Sequence, residues 1–137
     1  EKSTMSFARR VFFGSGIYGI LVLLPMAFLE HRLGEQFPPA TNRPELYYGF
    51  VGVALAWQFA FLLIASDVRR YRPLMLPAMA EKFLAAAAVI WLFSQGRVNG
   101  LTLAPFLVDL VLGMLFLASY LRTGTRAAQP LPAGPKH

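Results

Sequence analysis

Three charged residues lie inside long apolar stretches of this sequence, and they are the residue types best suited to chemistry. Glu81 and Lys82 are neighbours in the run from Pro73 to Ser94, and Asp109 lies in the run from Leu101 to Leu121. Charges are costly in hydrocarbon, so such groups usually pair with one another or mark a functional site. Two carboxyl groups and one ammonium could hold a proton or a polar ligand, or act as general acid and base.

Four apolar stretches account for most of the chain, at residues 11–29, 46–66, 73–94 and 101–121. About 20 apolar residues are needed to cross the hydrocarbon core as a helix. The chain has 137 residues, of which 56% are hydrophobic and 15% charged. We therefore predict an all-α polytopic membrane protein with one domain at residues 1–122. Short second and third connections predict an antiparallel up-down-up-down bundle of four transmembrane helices.

The segments outside these stretches give weaker signals. The first stretch is too long for the apolar part of a signal peptide, and no A-x-A cleavage site precedes Glu30 and His31, so we expect it to be retained. Those two residues, in the long loop at 30–45, are weak candidates for metal ligands. Residues 123–137 are rich in Pro, Ala and Gly, which predicts a disordered cytoplasmic tail.

The basic residues predict the orientation. Nine of the 13 Lys and Arg residues lie in three groups of three, within 2–10, 69–72 and 122–136. The positive-inside rule then places both termini in the cytoplasm, which makes the cytoplasmic (inner) membrane the expected location. The segment from Asp67 to Arg72 is interpreted as an orientation signal that contacts lipid headgroups. Because the basic residues flank apolar stretches, the expected partner is the lipid bilayer and not nucleic acid.

Helical rise places four polar side chains and one lysine at similar depth. Glu81 and Asp109 each lie roughly 12 Å inside their stretches, and Gln58 and Tyr18 fall near mid-depth in the second and first stretches. A polar cluster drawn from all four helices is therefore possible. We predict a ligand-binding or proton-binding site made of these residues together with Lys82.

Lys82 has two possible positions. It points roughly 100° away from its neighbour Glu81, so it either extends to the cytoplasmic surface or pairs with Asp109 across the bundle. If the third helix began at Pro77, both Glu81 and Lys82 would lie near the interface instead. For Asp109, the alternative is a structural hydrogen bond to a neighbouring helix.

Small residues repeat along one face of each predicted helix, which is typical of helix–helix contacts in membranes. They include Ser15 and Gly19, then Gly49, Gly52, Ala56 and Ala60, then Ala78, Ala85 and Ala88 beside Glu81, and Gly113 beside Asp109. We expect these faces to pack either within one bundle or between protomers, as a homo-oligomer.

Several classes of chemistry are excluded. The chain has no cysteine and two histidines, which excludes disulfides, thiolate nucleophiles and a bis-histidine haem within the bundle. It has no phosphate-binding loop, zinc-protease motif or hydrolase nucleophile motif. No cofactor is identifiable, although a bound lipid would suit such a protein.

The stretch from Tyr47 to Phe93 resembles a type of uncharacterised small four-helix bacterial membrane protein. The residues that carry the resemblance are Trp57-Gln58, the segment from Asp67 to Arg72 with Pro73, Glu81-Lys82 and, beyond this stretch, Asp109. This resemblance is to the DoxX-like group in a broad sense and covers residues 8–122. The chain lacks the first-helix lysine pattern of a true DoxX member. The resemblance implies a four-helix membrane fold and no established activity, so it carries over no catalytic residues.

Three functions fit these features. The first is the binding of a small apolar or amphiphilic ligand, or of a proton, at the polar cluster. The second is an accessory or scaffold subunit of a larger membrane complex. The third, which we favour least, is a small intramembrane enzyme that uses the two carboxyl groups.

Overall fold

Four long helices make up the computed structural model, which describes residues 2–28 and 44–124. They are α1 (Lys2–Phe28), α2 (Pro44–Ser66), α3 (Met75–Ser94) and α4 (Gly100–Gly124), with a 3₁₀ turn at Arg72–Leu74 before α3. All four are long and apolar enough to cross a membrane. The prediction of an all-α bundle of four transmembrane helices is confirmed.

The helices extend beyond the apolar stretches that predicted them. α1 begins at Lys2 and so includes the basic residues before the first stretch. At the other end of the chain, Thr123 and Gly124 are the last residues of α4. The predicted tail therefore starts within a helix, and the rest of it lies outside the described residues. Hydropathy marks only the apolar part of a helix, which continues where the helix reaches polar surroundings.

The helices pack unequally. α1 packs along both α2 and α4, and α3 packs along α4, whereas α2 and α3 meet over a shorter seam. One end of the bundle carries the start of α1, the connection from α2 to α3 and the end of α4; we call it the basic end. The other end carries the turn between α3 and α4, and we call it the opposite end.

The turn between α3 and α4 is built from a helix stop followed directly by a helix start. Gly96 has φ +69°, the left-handed conformation that favours glycine. Its N–H donates to Phe93 O at 2.9 Å, and the N–H of Arg97 donates to Leu92 O at 3.0 Å, which is the Schellman pattern. Asn99 then caps α4, since its Oδ1 accepts from the Thr102 N–H at 2.9 Å. This turn sets α3 and α4 antiparallel and fixes their relative height.

Arg72 joins the α2–α3 connection to the last turn of α4. Its guanidinium donates to Tyr120 O at 2.9 Å and to Thr123 Oγ1 at 3.2 Å, and it lies 3.9 Å from the centre of the Tyr120 ring. A cation near the C-terminal carbonyls of a helix is stabilising. We had expected this segment to contact lipid headgroups, whereas the Arg72 side chain bonds within the protein.

A packed aromatic cluster fills the half of the bundle near the basic end. Phe12 stacks on Phe116 at 4.2 Å between ring centres, and Phe61 meets Phe116 edge-on at 4.9 Å. Ile64 and Met75 are also fully buried against them. Residues from all four helices thus exclude water from this half, and they hold the helices together between the polar residues and the basic end.

Candidate functional site

Lys82 pairs with Asp109 across the contact between α3 and α4. Its Nζ donates to Asp109 Oδ1 at 2.8 Å, and only 6% of the Lys82 side chain is exposed. The Glu81 Oε2 atom lies further away, at 3.6 Å from Nζ. Of the two positions that the sequence leaves open for Lys82, the structure shows the pairing with Asp109, and Lys82 does not extend to the end of its helix.

The pair forms because the helices place its members at nearly the same height. Measured from the turn, Lys82 is roughly 18 Å along α3 and Asp109 roughly 14 Å along α4, which is a difference of less than one turn. α3 begins at Met75 and continues directly from the 3₁₀ turn, not from Pro77. The Lys82 ammonium also lies 5.4 Å from the centre of the Phe61 ring, so it rests on the aromatic cluster.

Gln58 of α2 is the most deeply buried of the neutral polar residues predicted at the site. It is 2% exposed, and its Nε2 donates to Ala54 O within the same helix at 3.0 Å. Its Oε1 accepts no hydrogen bond from any residue that the structure describes, and neither does Glu81 Oε2. Buried polar atoms are normally satisfied, so two unpartnered acceptors in one region call for an explanation.

Gly19 of α1 makes the space that Gln58 occupies. A Cβ atom at this position would overlap the carbonyl group of the Gln58 side chain and lie 2.7 Å from its Cγ. One turn earlier, a Cβ at Gly16 would lie 2.8 Å from Leu62 Cδ2. These two glycines let α1 approach α2 closely, as small residues do in membrane helices.

These groups surround one cavity of about 170 Å³, formed by all four helices. It lies between the aromatic cluster and the opposite end. All five residues predicted as a site line this cavity, namely Tyr18, Gln58, Glu81, Lys82 and Asp109. Tyr18 is 42% exposed and lies at its margin. The structure thus brings the five residues together, while their role in binding stays a prediction.

The other residues of the wall were not predicted from the sequence. They are mainly apolar, and they include Leu23, Phe50, Ala54, Ala85 and Phe106. The period of the α-helix could have indicated two of these wall residues. Ala54 and Ala85 each lie four residues from a predicted polar residue on the same helix, and residues at this spacing share a face. The volume itself depends on how side chains pack, which the sequence pattern does not give.

The small-residue face of α2 points away from the bundle. Gly49, Gly52 and Ala56 are exposed, and Cβ atoms added at the two glycines would meet nothing within 4 Å. Of the two arrangements that the sequence leaves open for this face, packing within the bundle is not seen for Gly49, Gly52 and Ala56, and contact between protomers stays a prediction. The α2 face that points inward carries Val51, with Ala54 and Gln58 after it. The weak metal-ligand candidates, Glu30 and His31, lie outside the described residues.

The fold and this site define a multi-pass helical membrane protein. Its bundle encloses a cavity with a mainly apolar wall and a few polar side chains. Comparisons of the chain with family models, curated proteins and solved structures found no match. The resemblance to DoxX-like proteins therefore stays a prediction.

Gly19→Ala should displace the Gln58 side chain and break its hydrogen bond to Ala54 O. We expect the free energy of unfolding to fall by about 1–2 kcal/mol, measured by SDS titration in mixed micelles. Gly14→Ala is the matched control, because it lies in α1 with open space around it, and it should be neutral or slightly stabilising. Adding Gln58→Ala should restore part of the loss. Equal effects of Gly14→Ala and Gly19→Ala would contradict the close contact.

Proposed function

We propose that this protein binds a small amphiphilic molecule in the cavity between its four helices. The observation that supports this most directly is the combination of an apolar wall with two buried oxygen atoms, Gln58 Oε1 and Glu81 Oε2, that accept no hydrogen bond from the described residues. Binding pockets for small molecules typically combine apolar walls with a few polar groups that orient the ligand. A molecule with a polar head and an apolar body would satisfy both features.

A proton at Glu81 is the simpler alternative within the same class of function. It would need one carboxyl group and a path to water, but no cavity of about 170 Å³. An engineered apolar cavity of about 150 Å³ is large enough to take up benzene. The size of the cavity therefore favours a molecule of roughly that size over a proton alone.

The role of accessory subunit is the second candidate. The exposed Gly49, Gly52 and Ala56 on α2 favour it, because a face of small residues lets a helix of another subunit approach closely. This face lies on the outside of the bundle, so the two functions are compatible. The experiment below separates them, since an accessory subunit should purify with stoichiometric partner proteins.

Filling the cavity should remove the bound molecule. Ala85 lines the cavity, whereas Ala87 on the same helix is exposed on the outer face. The protein and its Ala85→Phe and Ala87→Phe variants would be purified gently from native membranes, and the co-purified small molecules and proteins identified by mass spectrometry. We expect a small amphiphile that Ala85→Phe reduces by about tenfold, since a clash of about 1.4 kcal/mol suffices for this, and that Ala87→Phe retains.

Two results would argue against cavity binding. One is the absence of any small molecule that distinguishes the Ala85→Phe and Ala87→Phe variants. The other is the recovery of stoichiometric protein partners when no such small molecule is found, and this result would favour the accessory role.

We further propose that the protein lies in the inner membrane with its basic end in the cytoplasm, and this orientation is supported by the clustering of basic residues there. The chain has no cysteine, so single cysteines can report the side. Gln95→Cys at the opposite end should react with a membrane-impermeant maleimide in spheroplasts, and Ser3→Cys at the basic end should react only after lysis. The reverse pattern would overturn the orientation.

A further inference from the structure

The acidic and basic groups at the cavity do not balance. Glu81 and Asp109 are acidic, and Lys82 is the one basic residue among the described residues that line the cavity. The ammonium of Lys82 makes its short contact, 2.8 Å, with Asp109 and its longer contact, 3.6 Å, with Glu81. Within the described part of the chain, Glu81 therefore shares Lys82 with Asp109 and has no basic partner of its own in the wall.

At the cavity, the two buried polar atoms that lack a hydrogen bond to the described residues are both acceptors. Gln58 Oε1 and Glu81 Oε2 are buried and accept no hydrogen bond from the described residues. Gln58 is 2% exposed, and its amide nitrogen is already bonded to Ala54 O. What the site lacks is thus a donor, and donors that carry positive charge make the stronger bonds to a carboxylate.

The rest of the wall excludes an entirely polar ligand. Leu23, Phe50 and Phe106 line the cavity with carbon atoms. A hydrated inorganic cation would leave these surfaces against water, which is unfavourable for apolar groups. A ligand with one charged donor group and a small apolar body matches both the wall and the acceptors.

We propose that the ligand is an amphiphile whose head is a protonated amine. This inference rests on the proposed function, and it adds the chemical class of the head group. The ammonium donates to Glu81 Oε2 and to Gln58 Oε1, and the apolar body lies against the carbon-lined part of the wall. An alcohol of equal size supplies one donor and no charge, so it binds more weakly. A carboxylate adds a second uncompensated negative charge and is rejected.

The test compares two probes that differ only in the head group, 4-fluorobenzylamine and 4-fluorobenzyl alcohol. Each is titrated at neutral pH against the full-length protein in lipid nanodiscs, and binding is followed by ¹⁹F NMR. Cavity binding is the part that Ala85→Phe removes and Ala87→Phe retains, which corrects for partition into lipid. We expect the unmodified protein to bind the amine about tenfold more tightly than the alcohol.

Glu81→Gln keeps the size of the side chain and removes its charge, so it should abolish the preference for the amine while leaving the alcohol bound. Gln58→Leu should weaken the binding of both probes. The comparison of the two probes on the unmodified protein does not depend on Glu81→Gln, so it stands even if that variant misfolds.

The outcomes separate the two proposals. Equal binding of the two probes, tighter binding of the alcohol, or an amine preference that survives in folded Glu81→Gln would overturn the amine assignment while the cavity function stands. If neither probe shows binding that Ala85→Phe removes, the proposed function itself fails.

Discussion

The ion pair between Lys82 and Asp109 is the interaction on which the rest of the structure depends. A charged side chain is costly within a membrane, and it is tolerated when it faces the interior and meets an opposite charge. With an N–O distance of 2.8 Å, the pair fixes which faces of α3 and α4 point inward. Those faces in turn decide that Glu81 lies at the cavity and that Leu84 and Val111 point outward toward lipid.

The two halves of the bundle serve different purposes. Near the basic end, Phe12, Phe61 and Phe116 interlock, and Arg72 bonds the end of α4 to the connection before α3. In lipid, the hydrophobic effect contributes little to the association of helices. Aromatic packing and hydrogen bonds therefore hold membrane helices together. The other half is less filled, since it contains the cavity of about 170 Å³. The packed half supports the cavity, and Lys82 lies at the boundary.

The sequence predicted what depends on length, hydropathy and charge. Four spans followed from apolar length, and depth made the Lys82–Asp109 pair one of two possible arrangements, the other being extension of Lys82 to the cytoplasmic surface. The outward direction of Gly49 and Gly52 could not be predicted, because small residues mark a face without saying which neighbour it meets. The contact of Arg72 with Tyr120 was missed because a basic residue at a helix end suits lipid and protein equally. The polar residues of the cavity were predicted, whereas its volume and its apolar wall were not, because these depend on side-chain packing.

The most direct measurement is the distance between the Lys82 ammonium and the Asp109 carboxyl group in a lipid bilayer. Solid-state NMR can measure it on a Lys2→Arg, Lys136→Arg variant labelled with ¹⁵N in lysine and ¹³C in aspartate, because Lys82 is then the one lysine in the sequence. We predict a ¹⁵Nζ–¹³Cγ dipolar coupling that matches a direct N–O contact of 2.8 Å. The absence of this coupling, with the Lys82 ammonium in contact with interfacial water, would contradict the buried pair and the site built around it.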